Sequence, residues 1–156
     1  MDIKDIKSIT LNPVFGAEIL IHFLMGCKER SIKFELIFMV IPFVLYKDSR
    51  DLLCNANSRS SLNSLFLSAN TSVTSIIESE KVYKTFKSIT QKSIIVACNK
   101  YNIEIGDYIT LHDVKKYQDE NNEYLKRFYK AAYYLGLTMS KMAYLDVFSK
   151  LTIRSI

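Results

Sequence analysis

The sequence predicts a mainly helical single domain, residues 1–156, with one β-hairpin: a winged-helix-like core carrying additional N- and C-terminal helices. Three observations predict it. Punctuation is sparse, because four glycines and two prolines leave too few turns for a many-stranded sheet. Residues 34–46 form an apolar run broken only by Glu35 and Pro42, which must be hidden from water on nearly every side. Residues 103–111 read as a hairpin that follows directly on a long helical period. That is the order of a winged-helix module, with the hairpin as the wing.

The apolar run is the stretch around which the chain is organised. It is shorter than the about 20 apolar residues of a bilayer-spanning helix, and Pro42 interrupts its backbone bonding. The expectation is a central core helix, bent or capped near Pro42. At Lys47-Asp48-Ser49-Arg50-Asp51 the chain turns abruptly from apolar to charged. A buried element therefore delivers a charged loop to the surface. Lys47 and Arg50 are candidate partner contacts. The alternatives are a solvated loop, or a local cap in which Arg50 bonds backbone carbonyls.

The remaining elements follow in order. Asn12-Pro13 is a helix start: Asn12 accepts from a free amide of the first turn, and Pro13 sits where a missing N–H costs nothing. Val14, Ala17, Leu20, Ile21 and Leu24 repeat at helical steps, with the end expected between Gly26 and Arg30. His22 has no second ligand nearby and reads as a packed side chain. Residues 55–61 are a polar loop, 62–66 a short helix and 68–75 a second loop. A long helix spans about 76–101, with Val82, Tyr83, Phe86, Ile89, Ser93, Ile94, Ala97 and Tyr101 on its buried face. Lys81, Lys84 and Lys92 share a quarter of its circumference, either as a stripe that tracks phosphates or as a solvated face.

The hairpin admits two registers. A two-residue Gly106-Asp107 turn puts Ile109 on the opposite face from Ile103 and Ile105. A three-residue loop, 106–108, pairs Ile105 with Ile109 and Ile103 with Leu111, all on one face. Burial decides register, so the second is expected. Helical spacing resumes from Val114 to Met142 with a polar weak point at 119–122, and a short helix at 144–151 closes the chain. Tyr124, Phe128, Tyr129, Tyr133 and Tyr134 occupy more than one face of their helix and cannot all enter one core, which makes them candidate partner contacts.

The search for chemistry excludes more than it finds. The sequence has no glycine-rich phosphate loop and no nucleophile turn. Two histidines and three scattered cysteines form no ligand pattern, so neither a catalytic site, a metal nor a cofactor is expected. The odd, scattered cysteines suit reduced thiols in the cytoplasm, and residues 1–11 lack the apolar core of a secretory signal. No helix combines a strongly basic face with an exposed apolar one, so no membrane contact is expected. A net charge of +5 permits a nucleic acid or acidic partner.

Four segments carry a resemblance. They are Asn12-Pro13-Val14-Phe15-Gly16-Ala17; the run Phe38-Met39-Val40-Ile41-Pro42-Phe43-Val44-Leu45 leading into Lys47-Asp48-Ser49-Arg50-Asp51-Leu52-Leu53; Ala131-Ala132-Tyr133-Tyr134-Leu135-Gly136; and the closing Leu151-Thr152-Ile153-Arg154. In this order the chain resembles the middle component of bacterial three-component ABC-ATPase systems. It departs at Ile41, where leucine is usual, and at its Leu-Thr-Ile-Arg-Ser ending. The resemblance implies a non-catalytic adaptor that docks on an SMC/RecN-like ABC ATPase and couples it to an effector such as a nuclease, in anti-phage or anti-plasmid defence. DNA would then be met mainly through the complex. The other class is a free-standing winged-helix DNA-binding regulator. Such a reader would carry Lys or Arg on its wing, whereas 103–111 has none and holds Glu104 and Asp107.

Overall fold

The computed structural model describes residues 12–61 and 80–142. The expected short helix at 62–66, the loop at 68–75, the first turn of the long helix at 76–79, the closing helix at 144–151 and the segment 151–154 lie outside the described residues.

Helix α1, Pro13–Gly26, begins as its sequence requires. The Asn12 side-chain oxygen accepts from the Val14 and Phe15 amides at 3.0 and 3.4 Å, and Pro13 occupies the first helical position. Every residue from 16 to 24 is buried, so α1 has no solvent face along most of its length. It is the central helix of the fold, packed against the later helices α4 (Glu80–Lys100) and α5 (Glu123–Met139).

That corrects the expectation for the apolar run. It is buried as predicted, but it is not one helix. Phe34–Met39 is a 3₁₀ helix, α2 spans Val40–Leu45, and the chain turns extended at Tyr46 before α3, Lys47–Cys54. Pro42 sets the first boundary. It has no N–H to give, so it is tolerated only within the first turn, and α2 starts two residues before it. The charged exit is therefore a helix, not a loop.

Three strands form an antiparallel sheet in the order β1-β3-β2: β1 Ser31–Lys33, β2 Ile103–Ile105 and β3 Tyr108–Leu111. The register of the hairpin is the expected one, with Ile103 opposite Leu111 and Ile105 opposite Ile109. Ile109 and Leu111 are buried, but Ile105 at the strand end is 47 % exposed. Strand β1 is an addition to the prediction and pairs Ile32 with Ile109. The outward face is polar: Ser31 and Thr110 share a hydrogen bond of 2.7 Å, Lys33 lies over the Tyr108 ring, and His112 meets Glu104 at 3.1 Å. This helix–strand–helices–hairpin order is winged-helix-like, with α5 added after the wing.

Helix α4 buries Phe86, Ile89, Ser93, Ile94 and Ala97, as its period predicted; Val82 and, just past the helix end, Tyr101 are only half-buried, and the Tyr83 side chain lies outside those described. The last third is corrected. Residues 114–116 are not helical, Tyr117–Asp119 is a 3₁₀ turn, and α5 starts only after Asn122, whose side chain accepts from the Leu125 amide at 3.1 Å. The polar weak point at 119–122 is thus a helix start, and Val114 is 63 % exposed.

Helices α1 and α5 run parallel. Phe15 near the start of α1 meets Phe128 of α5 edge to face at 5.3 Å, and just past their ends the Lys28 amide donates to the Ser140 hydroxyl at 3.1 Å. Between these points a glycine on each helix faces bare backbone of the other. A Cβ on Gly136 would lie 2.0 Å from the Phe23 carbonyl oxygen, and one on Gly26 would lie 1.8 Å from that of Tyr133.

Candidate functional site

The parallel pairing brings the first turns of α1 and α5 side by side and leaves a groove of about 440 Å³ between them. Its walls are Val14 and Phe15 on one side and Tyr124, Leu125 and Tyr129 on the other, with Glu18 deeper in. Val14 and Tyr124 are 53 % and 58 % exposed, large apolar surface held on rigid helices. Tyr124 packs edge to face on Phe128 at 5.1 Å, so its ring is fixed while its outer face stays open.

The five aromatics expected to meet a partner therefore divide. Phe128 and Tyr129 are buried and belong to the core. Tyr129 stacks on His22 at 4.3 Å. Tyr133 and Tyr134 are half-buried and form a cluster with Tyr117, at ring distances of 5.4 and 6.4 Å. Burial and a hydrogen bond with Tyr134 push the Tyr117 hydroxyl up to about 12. Only Tyr124 offers an exposed ring.

Arg50 and Lys47 divide as well. Arg50 is buried; its Nη1 donates to the carbonyls of Val44 and Leu45 at 3.2 and 2.8 Å, and its guanidinium lies 4.3 Å over the Phe128 ring. Ser49 donates to the Phe43 carbonyl and, at 3.0 Å, to that of Tyr46. The last carbonyls of α2 have no partner within their own helix, and these two side chains of α3 supply the donors. The geometry is that of the local cap. Lys47 is exposed and bonded at 2.8 Å to Asp51, which also holds Arg127 at 2.8 Å.

Sequence reasoning missed a charge cluster centred on the buried Glu18 of α1. Glu18 accepts from Lys100 at 2.7 Å, from Lys115 at 2.6 Å and from Tyr101 at 2.7 and 2.9 Å. Burial raises the Glu18 pKa, but the hydrogen bonds from Lys100, Lys115 and Tyr101 outweigh it and leave the carboxylate below its ordinary range. The cluster ties α1 to the end of α4 and to the strand-to-α5 connection. One signal was available. Glu18 is the only carboxylate in an otherwise apolar helix, and a charge there must find a cation. His22, one turn on, is buried with neither ring nitrogen bonded, and burial lowers its pKa to about 4. It lines a second cavity of about 430 Å³ with Lys115, Lys116 and Asp119.

Lys84 and Lys92 are exposed on α4, where the stripe expectation put them; Lys81 is within the helix. Among the described residues, no three His, Cys, Asp or Glu side chains stand together so as to hold a metal ion, and no helix is long and apolar enough to cross a membrane.

Comparison with known proteins adds the family. No curated protein and no solved structure matches the chain. The family model for the ABC-three component (ABC-3C) system Middle Component 3 matches residues 2–155, and the chain belongs to that family.

Proposed function

We propose that this chain is a non-catalytic, single-domain adaptor working in the cytoplasm, which docks on an SMC/RecN-like ABC ATPase and couples it to an effector such as a nuclease in anti-phage or anti-plasmid defence. One observation carries the docking: Val14 and Tyr124 present exposed apolar surface on either side of a groove that none of the described residues fills. An apolar side chain of the ATPase inserts there. Aromatic anchors in a pocket of this kind supply most of the binding energy at protein interfaces, while peripheral contacts such as Lys47, Tyr133 and Tyr134 add complementarity. Membership of a middle-component family supports the reading, since such a component works beside others.

The test is co-expression with the neighbouring genes and affinity purification through the ATPase near physiological salt. The wild-type chain elutes as a stable complex. Tyr124→Ala weakens that complex at least tenfold and lowers the melting temperature of the isolated chain by no more than a few degrees, because the ring is largely exposed and its one aromatic contact among the described residues, with Phe128, contributes about 1 kcal/mol. A chain that purifies alone and binds one defined duplex tightly would instead be a free-standing regulator, and the adaptor reading would be dropped.

A further inference from the structure

Helix α4 has a second face, and its charge is one-sided. After Glu80 the helix contains no carboxylate, yet it carries Lys81, Lys84, Lys87, Lys92 and Lys100. Lys100 is committed to Glu18. Lys84, Lys87, Ser88, Gln91, Lys92 and Ile95 are all exposed. At 100° per residue these six fall within about 140° of the helix circumference. Lys84 and Lys92 are separated by about 12 Å along the axis, which is about the width of the DNA major groove. Polar Ser88 and Gln91 lie between them. On α5, Arg127 is bonded to Asp51 at 2.8 Å and Lys126 faces Glu123 at 3.9 Å.

We propose that the Lys84–Lys87–Lys92 face of α4 binds the phosphate backbone of double-stranded DNA without regard to sequence. The helix supplies the contact alone. The wing that follows it exposes Glu104 and Asp107, so it repels phosphate and adds no second anchor. Three phosphate contacts make the binding weak and strongly dependent on salt, with a log–log slope near −2.7. This inference is independent of the docking groove, which lies on α1 and α5, so either can fail without the other.

The experiment titrates the full chain, alone, against a fluorescein-labelled duplex of arbitrary sequence and follows anisotropy from 50 to 200 mM NaCl. Affinity is expected to fall about 40-fold across that range. The triple variant Lys84→Glu/Lys87→Glu/Lys92→Glu should bind at least tenfold more weakly at 50 mM, and a glutamine triple serves if the glutamates prevent folding. A control of equal charge, Lys116→Glu/Lys126→Glu/Lys130→Glu, should lose no more than threefold. The proposal is overturned if the wild type shows no salt-dependent binding, if the α4 variant binds like the wild type, or if both triples lose affinity equally. It is also overturned if the α4 variant keeps its DNA affinity but no longer co-purifies with the ATPase, which would make this face a protein interface.

Discussion

Gly136→Ala is a substitution that helix propensity and packing predict in opposite directions. In an isolated helix, replacing glycine with alanine stabilises by about 1 kcal/mol. Here the new methyl would lie 2.0 Å from the Phe23 carbonyl oxygen, 3.0 Å from its carbon and 3.1 Å from the Cys27 nitrogen. All three are backbone atoms of α1 or its cap, so no side-chain rotation relieves the clash. The helices must separate by roughly 1 Å, and the whole α1–α5 seam loosens. Overpacking of this kind costs about 1–3 kcal/mol, and more where backbone must move. A backbone contact lies at the upper end, so the net loss is about 2 kcal/mol after the propensity gain. Urea unfolding followed by far-UV circular dichroism should show the midpoint falling by about 1 M. Gly106→Ala is the control: a Cβ there meets nothing within 4 Å, and its backbone is not left-handed, so the midpoint should stay within error. An unchanged or raised midpoint for Gly136→Ala would refute the contact and leave propensity as the governing term.

Arg50→Met leaves the Val44 and Leu45 carbonyls without their donor and removes the cation over Phe128, so stability should fall by about 2–3 kcal/mol and the melting temperature by about 5–10 °C. Lost assembly at an unchanged melting temperature would return Arg50 to the partner surface. The lowered His22 pKa means the unfolded chain takes up a proton that the folded one refuses, so stability is present above pH 6.5 and is lost as pH falls towards about 4, by at most about 3 kcal/mol. His22→Phe should flatten that part of the urea-midpoint profile against pH. Glu18→Gln should cost about 1–2 kcal/mol at pH 7, modestly because both lysines stay partly solvated. It should also remove an acid loss that sets in only as pH falls below the ordinary carboxylate value of 4.5.

What was legible in the sequence was what neighbouring residues decide. The Asn12 cap, the hairpin register and the buried face of α4 each follow from spacings of a few residues, and all three stand. The failures have a common cause. Strand β1 is three residues long, too short to show a period, and it exists because Ile109 offers a partner far along the chain. Glu18 is separated from Lys100 and Lys115 by 82 and 97 residues, a pairing no local pattern encodes. The apolar run outshone α1 because it is more continuous, yet burial of α1 on all sides depends on three other helices. Phe128 and Tyr129 looked like surplus aromatics on one helix, and only the place of Phe15, His22 and Arg50 beside them draws both into the core. The segments that carried the family resemblance prove, where described, to be packing devices: Gly16 against Ser93, Gly136 against Phe23, Arg50 under the end of α2.

Two parallel helices whose backbones touch cannot slide or rotate against each other without collision, because no flexible side chain lies between them at Gly26 and Gly136. In mechanical terms α1 and α5 are a single strut. Its length is that of a 14-residue helix, about 20 Å. One end is the Val14–Tyr124 groove, and the other is the Lys28–Ser140 contact beside strand β1. A load applied at the groove has no soft element between the two helices in which to dissipate, so whatever fills the groove moves the Lys28–Ser140 end of the pair with it.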